Sequence, residues 1–233
     1  GTRLTRMDDI RLKSVQFSHG GKTIVGNDSV NVTTWDTESG HKLRSFKVDG
    51  MLSSLNISSN GKYVVSIGID NIASLWDLTS GRFIGKQNDC KVRSTVFSPD
   101  NSVVLSLGFN NFGDIWEPTT GRRRFRLDHE DRIRSAAFSG DGKLLVTIGG
   151  RFVRLWDLSL GKNVVTLKSD ADTSVAMFSP DNHWLLTGAA DYVKLWNISP
   201  EVRTPEEIKK ILKERNILSE NGISFAGNRL VLQ

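Results

Sequence analysis

Tryptophan recurs in this chain at positions 35, 76, 116, 156 and 196, at intervals of 41, 40, 40 and 40 residues. A fixed period near 40 marks a supersecondary unit that cannot bury its apolar face alone. Such units must stack, and the period decides the architecture before local propensity is weighed. The tripeptides Leu75-Trp76-Asp77, Leu155-Trp156-Asp157 and Leu195-Trp196-Asn197 repeat almost letter for letter, with Thr34-Trp35-Asp36 and Ile115-Trp116-Glu117 as looser copies. Four copies have a glycine five residues later: Gly40, Gly81, Gly121 and Gly161. Each also has an apolar residue followed by serine 18 or 19 residues before the tryptophan, at Phe17-Ser18, Ile57-Ser58, Phe97-Ser98, Phe138-Ser139 and Phe178-Ser179.

The third unit shows the internal pattern best. Val92 to Phe97 alternates and reads as a strand, Ser98-Pro99-Asp100-Asn101 is a turn, and Val103 to Leu107 is a continuous apolar run covered on both faces. Phe112 to Trp116 and Arg122 to Leu127 complete four short strands, a meander. The units span about 7–46, 47–87, 88–127, 128–167 and 168–200, the last without a fourth strand, while residues 2–6 read as a strand without a partner in their own unit. From Pro200 the period stops. Thr204-Pro205-Glu206-Glu207 reads as a helix start with Ile208, Ile211 and Leu212 as its apolar stripe. Ile223 to Phe225, Gly227-Asn228 and Arg229 to Leu232 read as a hairpin, so 201–233 is expected to be a short C-terminal helix plus hairpin packed on the repeats.

Residues 7–200 resemble the WD-repeat β-propeller family, on the Leu-Trp-Asp endings, the Phe-Ser-Pro-Asp turn and the period of 40. The resemblance implies an all-β fold over 1–200: five four-stranded blades arranged radially around a channel. One repeat would supply three strands of one blade and the outermost strand of the next. Residues 2–6 would then clasp the last blade. Trp35, Trp76, Trp116, Trp156 and Trp196 would pack between blades, and Asp70 would hold a turn. Members usually carry a Gly-His pair and a network joining that His to an Asp and the Trp. Here only His129 stands near such a position, and Ser29, Asn110, Gly150 and Ala190 replace the aspartate, so most of the network is expected to be missing. Members commonly have more than five blades. A start at Gly1 rather than Met favours an excerpt, the clasp strand favours a closed ring, and both stay open.

No catalytic constellation stands out. His19, His41, His129 and His183 lie in or beside turns without metal-ligand spacing, and neither a nucleophile elbow nor a phosphate-binding loop is present. Gly149-Gly150 reads as punctuation between strands. The single cysteine, Cys90, permits no internal disulfide, which favours a reducing, cytoplasmic setting, and no apolar run reaches the ~18 residues of a membrane span. No cofactor or metal is expected.

One feature exceeds scaffold. The residues four and six before the first-strand anchors Phe17, Ile57, Phe97, Phe138 and Phe178 should share a side of an extended strand. They are Lys13 and Arg11, Ser53 and Met51, Arg93 and Lys91, Arg134 and Arg132, Ser174 and Asp172. Six of these ten positions are basic and one is acidic. By the resemblance this region lines the channel mouth on the face most used for binding, and a concave ring of like charge favours an anionic partner. Asp8, Asp9, Glu130 and Asp131 stand near enough to neutralise it. The expected role is a non-catalytic interaction scaffold or sensor domain for a protein or peptide, acidic groups being favoured. Nucleic acid is disfavoured for want of an aromatic ladder. Alternatives are a sensor domain excerpted from a larger signalling ATPase or kinase, a five-blade glycoside hydrolase, which needs paired carboxylates, and a lectin-like binder.

Overall fold

The computed structural model describes residues 12–18, 20–87, 91–190 and 192–198, and the backbone of Ile223–Ala226 and Arg229–Leu232. The expected clasp strand at 2–6 and helix after Thr204 lie outside the described residues.

Successive antiparallel neighbours build each sheet, because every connection is a short turn. The first comprises β1 (Ser14–Phe17), β2 (Thr23–Asn27), β3 (Asn31–Asp36) and β4 (Lys42–Lys47). The second comprises β5 (Leu52–Ile57), β6 (Tyr63–Gly68), β7 (Ala73–Asp77) and β8 (Phe83–Gln87). The third comprises β9 (Val92–Phe97), β10 (Val104–Gly108), β11 (Phe112–Trp116) and β12 (Arg123–Asp128). The fourth comprises β13 (Ile133–Phe138), β14 (Leu144–Gly149), β15 (Phe152–Asp157) and β16 (Lys162–Lys168). The fifth has three strands, β17 (Thr173–Phe178), β18 (Trp184–Ala189) and β19 (Val193–Asn197). These are the blades of a WD-repeat β-propeller, the fifth being three-stranded among the described residues. As a separate unit, β20 (Ile223–Ala226) pairs with β21 (Arg229–Leu232), the hairpin expected from Gly227-Asn228.

The Phe-Ser pattern has a hydrogen-bond origin. The hydroxyls of Ser58, Ser98 and Ser139 donate to Asn60, Asp100 and Asp141 at 2.8, 2.6 and 2.7 Å, and Ser179 donates to Asp181. Each serine Oγ also accepts the N–H five residues on, at Tyr63, Val103, Leu144 and Trp184. One side chain thus closes the turn between the first two strands. The aspartate after tryptophan does the same for the next reversal. Asp36 and Asp77 accept the backbone N–H of Ser39 and Ser80 at 2.8 and 2.7 Å. The chain then needs a left-handed residue, supplied by Gly40 and Gly81 at φ of 70° and 73°.

Blades pack face to face. Trp76, Val64 and Leu55 of the second blade meet Val25 and Val32 of the first. Trp116, Val104 and Phe97 meet Val65, Ile67 and Leu75, while Trp156 and Leu145 meet Leu105 and Ile115. At these three seams a tryptophan lies between the blades. Indole Nε1 donates to Ser66 from Trp76 at 2.9 Å, and to Thr147 and Thr187 from Trp156 and the half-buried Trp196 at 2.8 Å, so the ring N–H is satisfied within its own blade. The second seam also contains a fully buried carboxylate. Asp114 of β11 accepts Arg126 Nε at 2.9 Å and a bond from Gln87 of the preceding blade.

Removing a turn hydroxyl leaves a buried N–H without an acceptor. Ser139→Ala is therefore expected to lower stability by about 1–3 kcal/mol, read as a fall in the urea midpoint. A loss below about 0.5 kcal/mol, the scale of an ordinary surface change, would show that the backbone alone sets the turn.

Candidate functional site

A register shift recurs in the inner strands. In the third blade Val92 pairs with Gly108 and Ser94 with Leu107, leaving Arg93 bulged. The same shift leaves Ser53, Arg134 and Ser174 unpaired in the second, fourth and fifth blades. A bulge bends the strand and re-aims the extra side chain. These are the positions four before each anchor. The positions six before, Met51, Lys91, Arg132 and Asp172, precede the strands altogether. The expectation that both share one side of an extended strand is corrected accordingly: one is a bulge residue and the other belongs to the preceding loop.

Arg93, Arg132 and Arg134 converge with Asp131 on one cavity of about 350 Å³ at the seam of the third and fourth blades. Arg93 crosses the seam, donating to the carbonyl of Ile133 at 3.2 Å, with a longer 3.5 Å approach to that of Arg134. Its Nε is buried without a partner. Burial first, and the charge of Arg132 second, hold Arg93 below the usual guanidinium value, although an arginine keeps its proton throughout. Arg132 lies over the exposed ring of Phe109, 5.5 Å from its centroid. Arg134 pairs with Asp172 at 3.1 Å, so the lone acid of the sequence pattern neutralises one of its bases.

The expected ring of charge is thereby reduced to a local pocket. Lys91 and Lys13 are exposed and do not line this cavity, and Lys13 sits in the field of Asp28. Arg11 lies outside the described residues, as do Asp8 and Asp9. Exposed apolar side chains stand at the same end of the blades. Ile69 and Phe109 directly follow β6 and β10, and the Ile69 N–H donates to the Met51 carbonyl at 2.9 Å. Sequence reasoning picks out Met51 among the ten mouth positions but has no place for Ile69 and Phe109, which look like ordinary turn residues. It also passed over Arg122 to Arg124, which line an outer groove of about 480 Å³ with Glu117 and Leu160. There Arg124 faces Glu117 at 3.9 Å and Arg123 faces Asp114 at 3.7 Å.

Gly149-Gly150 does more than punctuate. A Cβ on Gly149 would stand 2.6 Å from the His129 ring, and one on Gly150 would overlap the Asp131 carboxylate. The glycines let the loop carrying His129, Asp131 and Arg132 settle against the β14–β15 turn. His129 is buried, and neither ring nitrogen completes a hydrogen bond. Burial, then the charge of Arg154, hold it below its ordinary pKa, against the opposing pull of Glu130, the Thr147 backbone and Asp131. In the β6–β7 turn Asp70 accepts the Ile72 N–H at 3.1 Å.

The family model described as WD domain, G-beta repeat matches residues 37–77, 121–157 and 161–197. Each match holds the outermost strand of one blade and the three inner strands of the next: β4 with β5–β7, β12 with β13–β15, and β16 with β17–β19. The repeat is thus staggered against the sheets and ties neighbouring blades covalently. No curated protein matches the chain.

The buried imidazole makes stability depend on pH. The unfolded chain takes up a proton near the ordinary value of 6.5, and the folded chain does so only below it. Over that window the unfolded state binds more protons, so stability falls as pH drops below about 6.5. Unfolding free energies measured from pH 7.5 to 5 should fall in the wild type and less steeply in His129→Phe. Parallel profiles would exclude His129 as the origin.

Proposed function

Because the chain belongs to the WD-repeat family, we propose that it is a non-catalytic interaction platform whose partner docks across the third and fourth blades at the channel mouth. WD-repeat domains are typically scaffolds that bind proteins or peptides. The single observation behind this reading is the convergence of Arg93, Arg132 and Arg134 on one cavity, with a guanidinium Nε left without an acceptor. A carboxylate or phosphate group is the natural occupant, since it supplies the acceptors that arginine lacks and offsets the mutual repulsion of Arg93 and Arg132. Phe109, under Arg132, offers apolar footing beside it, so a peptide carrying acidic and apolar side chains fits better than a bare anion. The outer arginine groove is a weaker candidate because Arg123 and Arg124 already face carboxylates. A reducing, cytoplasmic setting, read from the lone Cys90, belongs to the same proposal.

Binding of an acidic, apolar-flanked peptide library decides the matter. Arg93→Glu/Arg132→Glu should weaken binding at least about tenfold, and rising salt should weaken the wild type. Asp172→Asn should strengthen binding by releasing Arg134. Equal affinity in wild type and the double variant would overturn the proposal.

A further inference from the structure

One wall of the arginine cavity is a loop held in place by a side chain that does not line the cavity. Between β12 and β13 the chain reads His129-Glu130-Asp131-Arg132. Asp131 and Arg132 line the cavity, whereas His129 is 4% exposed and turned into the fourth blade against Gly149. A Cβ on Gly149 would stand 2.6 Å from His129 Nδ1 and 2.8 Å from the Asp131 carbonyl oxygen, so ring and loop backbone seat together on one bare glycine. Backbone and side chain of Asn111, in the β10–β11 turn, bond the His129 main chain at 2.9 and 2.7 Å and fix where the loop begins. From β15, Arg154 donates to Glu130 and to the Asp128 carbonyl.

The seat suits a neutral ring only. Neither nitrogen of His129 completes a hydrogen bond, so protonation would bury a charge and two N–H donors without an acceptor. The charged groups facing the ring are Glu130 and Asp131 from its own loop and Arg154 from β15. Glu130 Oε2 lies 3.8 Å from Nδ1, beyond hydrogen-bond reach, and its carboxylate is already held by Arg154. Thr147 and Gly149 of β14, and Asn111, bring no charge. We propose that this loop is an acid-sensitive wall: protonation of His129 drives the imidazolium from its seat beside Gly149, and Asp131 and Arg132 leave with it, so that the arginine cavity is dismantled and its anion released. The proposal rests on the cavity being the docking site and adds its control. The sign separates it from plain electrostatics, because an imidazolium that stayed seated would add positive charge near the cavity and hold an anion more tightly.

The test compares wild type with His129→Phe at about pH 7.5 and about pH 5, on either side of the ordinary histidine value. Amide hydrogen exchange reads the loop without any ligand. After correction for the intrinsic pH dependence, the amides of residues 130–132 should exchange at least about tenfold faster in acid in wild type, while those of β10 stay protected, which marks local opening. His129→Phe should show no such change. Gly149→Ala, which crowds the seat, should expose the same amides already at neutral pH. Inorganic sulfate, a dianion at both pH values, then reads the cavity: wild type should bind it at least about tenfold more weakly in acid, and His129→Phe equally at both. If His129→Phe fails to fold, as circular dichroism would show, His129→Gln makes the same comparison. A wild-type loop that acid leaves protected, a His129→Phe loop that opens like wild type, or tighter sulfate binding in acid would each overturn the proposal. Sulfate that binds at neither pH would remove the docking reading, and the exchange comparison would then decide the release of the loop by itself.

Discussion

The structure depends on burying one sheet's indole and branched aliphatic side chains against the next sheet. No blade has a core of its own: four strands a few residues long offer two faces, and each face is closed only by a neighbour. Trp76 meets Val25 and Val32 across a seam, and Trp116 meets Leu75 in the same manner. Each such side chain contributes about 1.5–3 kcal/mol by leaving water, and the gain exists only if the adjoining blade is in place. This is why the hydroxyls of Ser66 and Thr147 lie under the indole nitrogens. A tryptophan pressed into a seam has no water for its N–H, and a donor left alone there would cancel part of the gain. The indole of Trp116 lacks this arrangement: its Nε1 is buried without a partner, although Ser106 occupies the corresponding position.

What could be read from sequence is what each unit does alone. The tryptophan period, the serine that closes the first turn and the glycine that takes a left-handed φ are local requirements, and the chain repeats them as often as it repeats the unit. What could not be read depends on pairing between strands or blades. The bulge at Arg93 is marked by no glycine or proline of its own; it arises because β9 and β10 meet with one residue to spare. The pairing of Arg134 with Asp172 joins residues 38 positions apart in neighbouring blades. Asp114 looks like an interruption in an apolar strand, and its reason becomes visible only when Gln87 of the preceding blade and Arg126 of its own arrive beside it. Likewise, Gly149-Gly150 reads as a plain turn until His129 and Asp131 are packed against it.

These same long-range pairings decide where charge is available. Six bases spread over three blades suggest an annulus, yet the folded chain treats them unequally. Lys13 and Lys91 stand exposed away from the cavity, Arg134 is held by Asp172, and the charge of Arg132 adds to the cost of burying Arg93. Potential is therefore concentrated at one seam, beside exposed Phe109, and the chemistry offered there is that of a pocket more than of a charged ring.

The bulge also explains how such a pocket arises without disturbing the fold. A strand residue in regular register must suit both its cross-strand neighbour and the face it lies on. A bulged residue has no partner opposite, and its side chain is turned out of the regular alternation. At the four equivalent bulges the chain places Ser53, Arg93, Arg134 and Ser174, differing in size and charge, while the flanking Leu52, Val92, Ile133 and Thr173 are all buried. The core is thus carried by one residue and the surface chemistry by the next. Bulge residues placed this way can differ from blade to blade while the buried residues beside them keep the same packing, which is the physical condition for a repeat fold to vary its surface chemistry locally.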